Sequence, residues 1–366
     1  MSSNKRIALF LPSLAGGGAQ RMILNLAGGF AARDFATDLV LTKSQGPYLS
    51  NIPPDVRVLD LQAPRMLKSL PALVRYLRAE QPIALLSTLT YANVLAIWAK
   101  KLANVPTRVV VREATTLSEE TSRNAVLFKD KIMPLIVRHT YPRADGIVAV
   151  SEGVARDLAQ ITRVPLSSIH VLANPVVTPE LSSLASEPLN HAWFSLLDSP
   201  VVLGAGRLSK EKDFPTLIRA FAKVRKRRRA RLMILGEGGE RPRLEALVKE
   251  LGLQEDVSLP GFVQNPFAYM ARSALFVLSS TWEGLPGVLI QALACGTPVV
   301  STDCESGPRQ ILQNGRFGRL VPVADISALA TAIMESLEKP RPAVPQAAWK
   351  CFGQDAAVEQ YLRVLQ

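Results

Sequence analysis

The sequence predicts an α/β protein of two doubly wound, Rossmann-like domains that follow one another along the chain. Its 366 residues are too many for one ordinary hydrophobic core, since a single domain holds roughly 100–200 residues. Apolar runs of strand length alternate with segments of helical periodicity, which is typical of a parallel sheet covered by helices on both faces. This alternation stops near residue 175 and starts again near residue 200, so the same pattern occurs twice.

Six short apolar runs predict the strands of the first domain. They cover residues 6–11, 38–42, 56–59, 83–87, 108–111 and 146–150. Helical patterns lie between them, for example at residues 20–32 and 68–78. Residues 82–99 carry no charge and approach the length of a membrane span. Polar residues inside that stretch, among them Asn93, favour instead a buried strand followed by a buried helix at residues 91–102.

A second set of six apolar runs predicts the sheet of the second domain. The strands are expected at residues 201–205, 231–235, 257–259, 275–279, 298–301 and 319–321. Helices are expected between them at residues 214–224, 241–251, 289–295 and 326–337. Strands that alternate with helices in this way again predict a parallel sheet.

Stretches rich in proline and serine predict the domain boundaries. Residues 174–188 are interpreted as a linker between an N-terminal domain at 1–175 and a C-terminal domain at 176–345. Three prolines then precede a final helical segment at 346–366, which we expect to pack back on the first domain. Two such domains facing each other leave a cleft between the carboxyl ends of their strands, where open α/β sheets bind ligands.

The net charge of +12 is uneven along the chain. Residues 1–175 contain 21 Lys and Arg against 12 Asp and Glu, whereas residues 176–366 contain 22 against 19. A basic first half favours an anionic partner, although a solvated basic surface explains it equally well. Aromatic residues make up only 6% of the chain, and the basic run at 223–231 has none interleaved, so nucleic acid is not expected as a partner.

Cysteine and histidine content excludes two further classes. The three cysteines are odd in number and lie late in the chain, which argues against a disulfide-rich secreted scaffold and favours a reducing, cytoplasmic location. The three histidines, His139, His170 and His191, are too scattered to predict a histidine metal site.

The first motif is the run Gly16-Gly17-Gly18, which follows the first strand and opens a helix. Glycines there let backbone N–H groups approach a phosphate at the positive helix end. Arg21 occupies the third glycine position of a dinucleotide fingerprint, and no acidic residue ends the second strand. The sequence therefore favours a phosphate-binding turn over a dinucleotide site. Alternatively, these glycines form a plain tight turn that binds no ligand.

Two later motifs carry charged groups. Arg207 and Lys212 lie in a glycine-containing loop after the first strand of the second domain, where a guanidinium fork and an ammonium can converge on a diphosphate. Alternatively, Arg207 and Lys212 are two solvated cations of a surface loop. Glu283 follows the strand at 275–279, and Gln291 lies eight residues further on, about two helical turns into the next helix. A carboxylate and an amide so placed suit sugar and ribose hydroxyls.

This set of motifs strongly resembles retaining GT-B glycosyltransferases, and within them glycosyltransferase family 4, also called group 1. The resemblance covers nearly the whole chain and rests on the motifs above together with four further segments. These are Val150-Ser151-Glu152-Gly153-Val154, Asn174-Pro175-Val176, Gly236-Glu237-Gly238 and Leu259-Pro260-Gly261-Phe262-Val263. It implies a GT-B fold and transfer of a sugar from a nucleotide-diphosphate donor, expected to be a UDP-sugar, to a glycan or lipid-linked acceptor in cell-surface polysaccharide or lipopolysaccharide biosynthesis.

The resemblance also implies roles for single residues. Arg207 and Lys212 match the pair that holds the donor diphosphate, and Glu283 matches a glutamate that contacts the donor sugar. Gln291 falls where a second glutamate usually binds the ribose. The other implied donor-binding residues are Gly17 and Gly18 at the phosphates, Gly261, Phe262 and Val263 near the base, Leu285 and Pro286 after the glutamate, and Gly307 in a loop beside the sugar.

The chain departs from the family pattern at two of these places. Gln291 offers one acceptor and an NH2 group where relatives offer two acceptors, so we expect weaker donor binding without loss of function. Glu113 stands where relatives often have a histidine after the fifth strand, and it is a candidate partner for the acceptor hydroxyl. Alternatively, Glu113 pairs with Arg112 or caps a helix.

No metal cofactor is expected. Arg207, Lys212 and helix N-termini can offset the negative charge of a leaving diphosphate, which is the electrostatic stabilisation that often dominates catalysis. The nearest approach to an Asp-x-Asp pair is Asp303-Cys304-Glu305, which makes a poor ligand set.

The resemblance implies that the acceptor binds the first domain. Two segments there predict basic amphipathic helices able to lie on an anionic membrane, so the enzyme is expected to be cytoplasmic and peripheral on the inner face of the membrane. Their cations are Arg65, Lys68, Arg75 and Arg78 in one segment and Arg123, Lys129, Lys131, Arg138 and Arg143 in the other. Alternatively, the apolar faces of both helices pack on the domain.

Two other functions stay open from the sequence. One is a different GT-B activity, either an epimerase or a transferase acting on a soluble acceptor; the spacing of Glu283 and Gln291 argues against the epimerase. The other is a non-catalytic protein that binds nucleotide sugars or polyanions.

Overall fold

The structure, a computed structural model, divides the chain into two compact units. The first comprises Met1–Val176 and Phe352–Gln366, and the second comprises Val177–Cys351. The structure describes residues 5–15, 17–118, 128–195, 199–338 and 344–366, with no side chains at 128–131.

The first unit is built on a seven-stranded sheet, all of it parallel. The strands are β1 Arg6–Leu11, β2 Ala36–Leu41, β3 Val56–Asp60, β4 Ala84–Thr88, β5 Arg108–Glu113, β6 Gly146–Ala149 and β7 Ile169–Val171. Their order is β3-β2-β1-β4-β5-β6-β7, so the direction of winding reverses between β1 and β4. Successive residues of β1 and β4 are buried on both faces, as the near-continuous apolar runs predict.

Six helices of the described chain belong to the first unit. They are α1 Gly18–Ala31, α2 Leu70–Glu80, α3 Thr90–Ala103, α4 Phe128–Thr140, α5 Glu152–Thr162 and, at the end of the chain, α14 Gln354–Leu365. Helix α14 packs against α1, and Val358 and Tyr361 join the hydrophobic core formed with Leu9 and Phe30. The last helix therefore completes the core of the first unit.

The predicted strands of the first half are confirmed, and three details differ. Strand β7 was not predicted, because it has three residues and only Ile169 is buried. Helix α2 begins at Leu70 rather than at 68, since Pro71 occupies its first turn and a 3-10 turn precedes it. The helix predicted as buried is α3, and that prediction is wrong for one face, where Trp98 and Leu102 are exposed.

The second unit contains a six-stranded parallel sheet in the order β10-β9-β8-β11-β12-β13. The strands are β8 Val201–Ala205, β9 Arg231–Leu235, β10 Val257–Gly261, β11 Leu275–Leu278, β12 Val299–Thr302 and β13 Arg319–Val321. The helices are α6 Leu181–Ser186, α7 Ala192–Ser195, α8 Phe214–Arg225, α9 Arg241–Glu250, α10 Pro266–Arg272, α11 Gly287–Ala294, α12 Pro308–Ile311 and α13 Ile326–Glu338. Both sheets confirm the prediction of two doubly wound α/β units.

The second half also departs from its predicted elements. The stretch interpreted as a linker contains α6, and the helix after Glu283 begins at Gly287 rather than at 289. Helix α10 was not predicted, because it has only seven residues. The Asn265 side chain caps its N-terminus by accepting hydrogen bonds from the backbone N–H groups of Phe267 and Ala268. Among the described residues, no helix is long and apolar enough to span a membrane.

Candidate active site

The second unit places two predicted loops at the point where its strand order reverses. Strands β8 and β11 are neighbours, and the chain leaves both at the same carboxyl edge. The loop with Arg207 and Lys212 follows β8, and the loop with Glu283 follows β11. Open α/β sheets bind ligands at this kind of position.

Lys212 and Glu283 form an ion pair at this edge, although they lie 71 residues apart. The Lys212 Nζ donates to Oε1 of Glu283 at 2.5 Å, and Ser280 Oγ donates to the same oxygen at 2.7 Å. Their side chains are only 17% and 10% exposed. Within the described part of the chain, Oε2 of Glu283 accepts no hydrogen bond. The pair therefore presents one ammonium and one open carboxylate oxygen with little competing water.

Backbone contacts hold the loop that carries Arg207. Leu208 N–H donates to the carbonyl of Glu237 at 2.9 Å. Gly236 has φ 135°, and a Cβ there would lie 1.9 Å from the carbonyl oxygen of Gly206. The loops after β8 and β9 thus touch through backbone alone, and Arg207 extends from this support with an exposed side chain.

The loop after β10 lies beside the loop after β9 at the same edge of the sheet. Gly261 has φ 92°, and its carbonyl accepts from Gly236 N–H at 2.8 Å. Phe262 beyond it is 53% exposed, and Val263 is half-buried. Nearby, Arg241 donates to Glu237 at 2.7 Å, and this hydrogen bond lowers the pKa of the Glu237 carboxyl. An exposed aromatic ring beside an anchored glycine turn can stack against a flat ligand.

The loop after Glu283 packs against the loop after β12. Gly307 has φ 93°, and a Cβ there would lie 2.6 Å from Pro286 Cδ. Ser306 Oγ donates to the carbonyl of Gly284 at 2.9 Å, and Leu285 is buried. Cys304 lies buried at the same place, and burial, followed by the charge of Glu283, raises the pKa of its thiol to about 12.

Gln291 lies in α11 about one turn from its start, whereas the sequence predicted about two turns into the helix; the difference arises because the helix begins at Gly287. Its side chain is buried, with 5% of the residue exposed. Within the described residues its amide makes no hydrogen bond, and its polar atoms are not fully enclosed. A largely buried amide that keeps some access is a group that a ligand hydroxyl can reach and satisfy.

In the first unit, Gly17 and Gly18 stand at the start of α1, after β1. Gly17 has φ 144° and precedes the helix without a side-chain cap, so the first-turn N–H groups are not capped by a side chain. Gly18 is exposed, and a Cβ there would meet nothing within 4 Å. Gly16 lies outside the described residues.

Glu113 ends β5 and is enclosed, with 2% of the residue exposed. Asn93 Nδ2 donates to its Oε1 at 3.0 Å, Tyr141 donates to the same oxygen, and Thr90 Oγ1 donates to Oε2 at 3.4 Å. Among the described residues, Arg112 is not its partner, so the predicted alternative of an Arg112–Glu113 pair is wrong.

Arg112 instead connects three separate parts of the first unit. Its guanidinium is wholly buried and donates to Thr88 Oγ1 at 2.8 Å, to Tyr361 OH at 3.0 Å and to Asn174 Oδ1. Burial raises the pKa of the Tyr361 hydroxyl. This network joins the end of β4 to the last helix and to residue 174.

Comparison with known proteins assigns the chain. Residues 17–175 match the glycosyl transferase 4-like domain, and residues 199–339 match the glycosyl transferases group 1. A curated relative is 31% identical over 345 residues, covering 91% of this chain and 90% of its own length. It is the N-acetylgalactosamine-N,N'-diacetylbacillosaminyl-diphospho-undecaprenol 4-alpha-N-acetylgalactosaminyltransferase of Campylobacter jejuni. The chain belongs to the group 1 glycosyltransferases.

Solved structures confirm the GT-B fold of this glycosyltransferase. A sucrose-phosphate synthase from Thermosynechococcus elongatus has a TM-score of 0.74 at 20% identity, over 99% of this chain and 95% of that one. Anabaena HepE, solved with UDP and glucose, has a TM-score of 0.74 at 19% identity, over 99% and 97% of the two chains. The family models and the Campylobacter relative confirm the predicted family and enzyme class.

Several site residues of the glycosyltransferase were missed by the sequence. Ser280, Asn93 and Tyr141 bond to Glu283 or Glu113, and nothing in the spacing of a serine, an asparagine or a tyrosine marks them. The serine pair directly after β11 was the only available signal. These groups became visible only when distant elements came together.

Residues 303–305 are the segment that came nearest to a metal-binding Asp-x-Asp motif in the sequence. Asp303 is salt-bridged to Arg309, and Cys304 is buried. Within the described ranges, no three His, Cys, Asp or Glu side chains lie close enough together to hold a metal ion.

The two basic segments behave differently from a free membrane helix. In α2, Leu73 and Leu77 are buried, so this part of the apolar face packs on the domain, whereas Leu67 just before the helix is 62% exposed. In α4, Met133 and Val137 are buried while Leu135 is exposed. The earlier part of the second segment, including Arg123, lies outside the described residues, as do the side chains of Lys129 and Lys131.

Proposed function

We propose that this glycosyltransferase is a retaining enzyme that uses a nucleotide-diphosphate sugar, a UDP-sugar first of all, and needs no metal. The observation that carries the proposal is the Lys212–Glu283 pair at the strand-order reversal of the second unit, the unit that matches the group 1 model. An ammonium suits the donor diphosphate, and a carboxylate oxygen suits a sugar hydroxyl. HepE, a structural neighbour, was solved with UDP, which supports the choice of nucleotide.

The proposed donor contacts follow from the same edge of the sheet. Arg207 and Lys212 hold the diphosphate, and Glu283 holds the donor sugar. Gln291 takes the ribose hydroxyls, consistent with its buried amide that lacks a described partner. The remaining proposed contacts are Gly261, Phe262 and Val263 at the base, Leu285, Pro286 and Gly307 beside the sugar, and Gly17 and Gly18 at the phosphates.

The proposed chemistry is front-face transfer. The bond between the sugar C1 and the diphosphate oxygen breaks, and a bond from C1 to the acceptor hydroxyl oxygen forms on the same face. The hydroxyl proton passes to the leaving phosphate oxygen. Arg207 and Lys212 stabilise the negative charge that develops on the diphosphate, which is worth about 10²–10³-fold in rate for each such donor.

On the acceptor side, we propose a glycan or lipid-linked acceptor bound by the first unit, with the enzyme peripheral on the cytoplasmic face of the membrane. The Campylobacter relative is named for a diphospho-undecaprenol substrate, which supports a lipid-linked acceptor. The relatives also include lipopolysaccharide core enzymes of Rhizobium meliloti, which supports cell-surface glycan biosynthesis. The basic excess of the first half suits such an anionic acceptor.

Glu113 enters the proposal as a positioning residue for the acceptor. Its carboxylate is held by Asn93 and Tyr141 at the carboxyl end of β5. Glu113→Gln keeps the shape and removes the charge, so we expect a higher acceptor KM with an unchanged donor KM. A lower melting temperature with both KM values unchanged would assign Glu113 to the stability of the unit alone.

The donor site is tested first by thermal shift with a panel of nucleotides and nucleotide sugars in the presence of EDTA. A ligand at 100 times its Kd stabilises the protein by about 2.7 kcal/mol. We expect one nucleotide diphosphate to raise the Tm of the wild type but not of Arg207→Ala. No shift with any nucleotide would contradict the donor site, and a shift that EDTA abolishes would contradict the metal-free mechanism.

Donor turnover tests the remaining alternatives. Slow hydrolysis of the stabilising nucleotide sugar without an acceptor supports a transferase and opposes a protein that only binds nucleotide sugars. Transfer to an undecaprenyl-diphosphate glycan but not to free sugars supports the lipid-linked acceptor. The anomeric configuration of the product, read by NMR, tests retention.

A further inference from the structure

The outer face of α3 carries three large apolar side chains that the first unit leaves exposed. Tyr91 is 39%, Trp98 37% and Leu102 55% exposed. Trp98 and Leu102 follow Tyr91 by seven and eleven residues, and at about 100° per residue these spacings put all three on one line along the helix. Tyrosine and tryptophan combine an apolar body with a polar tip, which suits the boundary between water and lipid.

Cations flank the C-terminal half of this stripe. Trp98, Lys101 and Arg143 line a surface depression of about 390 Å³. Lys100 lines it too, but its ammonium is already bound by Asp145 at 2.5 Å. Within the described part of the chain, Lys101 and Arg143 make no ion pair, and α3 contains no acidic residue. The depression therefore keeps an uncompensated positive charge beside an aromatic ring.

The C-terminal end of α3 does not cancel that charge. Helix carbonyls at a C-terminus carry partial negative charge. Here Arg78 of α2 covers two of them, donating to the carbonyl of Leu102 at 2.7 Å and of Ala103 at 3.3 Å. A third cation thus stands at the same end of the helix, and it occupies two of the carbonyls that oppose the positive charge.

We propose that this α3 surface, defined by Trp98, Lys101, Leu102 and Arg143, docks on an anionic phospholipid bilayer. Lys101 and Arg143 meet lipid phosphates, while Trp98 and Leu102 enter the interface. The single sign of charge and the small apolar area favour a lipid surface over a folded partner protein. The surface shares Arg143 with the second basic segment found in the sequence, but its apolar residues and Lys101 belong to α3, outside both segments. The proposal rests on the proposed function only in that a lipid-linked acceptor lies at a membrane.

The size of the effect follows from the two cations. A Lys or Arg near an anionic bilayer contributes about 1 kcal/mol, so removing both lowers the partition coefficient roughly 30-fold. Surface electrostatics of this kind are screened by salt, so binding weakens as ionic strength rises.

The test is co-sedimentation of the full chain with vesicles of phosphatidylcholine alone and of phosphatidylcholine with phosphatidylglycerol. We expect binding only to the anionic vesicles and about a 30-fold loss in the Lys101→Ala/Arg143→Ala variant. Leu102→Ser, at an exposed position, weakens binding without changing charge. The matched control is Lys226→Ala/Arg229→Ala, which removes two exposed cations of the second unit and leaves binding unchanged.

Three outcomes overturn the proposal. Absence of binding to anionic vesicles excludes lipid docking. Equal losses in the α3 variant and the control show that only net charge matters. A wild-type dimer that Leu102→Ser makes monomeric in size-exclusion chromatography assigns the surface to a second copy of the chain. The nucleotide-dependent Tm shift is measured on every variant, so a failure of the donor site is recognised separately from a failure of docking.

Discussion

Single residues decide how the donor site balances its charges. Lys212 and Glu283 share a partly desolvated ion pair, so removing either leaves the other without its partner in a poorly solvated place. Arg207 is exposed and carries its charge at the surface. The two cations of the proposed diphosphate site therefore differ, because only Lys212 is tied to the proposed sugar-binding carboxylate.

The first prediction concerns this pair. Lys212→Met is expected to lower kcat/KM by about 10²–10³-fold, since it removes a cation that stabilises the leaving diphosphate. Glu283→Gln is expected to lower it as well, and the double variant to lose less than the product of the two effects because the residues act as a unit. Initial rates of donor hydrolysis measure all three. Strictly multiplicative losses would contradict the coupling.

The second prediction concerns cysteine reactivity. Burial raises the pKa of the Cys304 thiol, and also that of Cys295, to about 12, so both stay protonated near pH 8 and only the thiolate reacts. Cys351 is exposed, although partial desolvation raises the pKa of its thiol as well. Because of that exposure, iodoacetamide followed by peptide mass spectrometry should label Cys351 first, and labelling of Cys295 and Cys304 should rise only as the pH approaches 12. Rapid labelling of Cys304 at pH 8 would contradict its burial.

Charged site residues could be predicted from the sequence, whereas neutral polar ones could not. Arg207, Lys212 and Glu283 stood out in the sequence because charged groups beside glycine turns are uncommon and their order matches a family. Ser280 and Asn93 did not, since neutral polar residues occur everywhere and acquire a role only through a partner. Their roles are contacts, and contacts between distant segments have no local signal.

At the scale of elements, closely packed loops hold the proposed donor site. Glycine is required at 307 for two reasons, the left-handed φ of 93° and the approach of Pro286 to within 2.6 Å of a Cβ. Gly296 also has a positive φ, 77°, but a Cβ there meets nothing within 4 Å. An added Cβ therefore meets only backbone strain at Gly296, but backbone strain and a steric clash with Pro286 at Gly307.

The third prediction uses that contrast. Gly296→Ala is expected to cost about 1–2 kcal/mol from the left-handed backbone alone. Gly307→Ala should cost more, because its backbone at φ 93° and ψ −68° lies outside the left-handed helical region and overpacking adds about 1–3 kcal/mol. It should also displace the loop with Leu285. Urea unfolding and the nucleotide-dependent Tm shift measure both variants. Equal losses of stability and of nucleotide response would show that the contact with Pro286 is unimportant.

Elements were predictable where their pattern was long and periodic. The central strands and α1 appear near their predicted places because hydrophobic period and turn residues are local properties. Strand β7 and helix α6 were missed, since three residues and six residues are too few to establish a period. The exposed face of α3 was missed because Trp98 and Leu102 read as core by composition.

At the scale of the molecule, the last helix completes the first unit. Gly29 of α1 lets α14 approach closely, since a Cβ there would lie 2.3 Å from Cγ2 of Val358. Tyr361 of α14 is wholly buried and accepts from Arg112 at 3.0 Å. Residues more than two hundred positions apart therefore share one core and one polar network.

The fourth prediction tests this link. Tyr361→Phe removes the acceptor and leaves a buried guanidinium N–H without its partner, which costs about 1–3 kcal/mol. The loss should appear in urea unfolding of the full chain, with the nucleotide-dependent Tm shift preserved because Arg207, Lys212 and Glu283 lie in the second unit. Unchanged stability would show that the hydroxyl contributes nothing to the network.

The sequence by itself determined the two α/β units and the glycine turns, and it singled out the charged groups of the proposed donor site. These depend on periodicity, backbone freedom and charge, which are properties of short segments. Only the tertiary structure decided that Lys212 pairs with Glu283, that Arg112 is buried among three distant partners and that α3 turns an apolar face outward. Each of these depends on which remote elements pack together, and packing is a property of the whole chain.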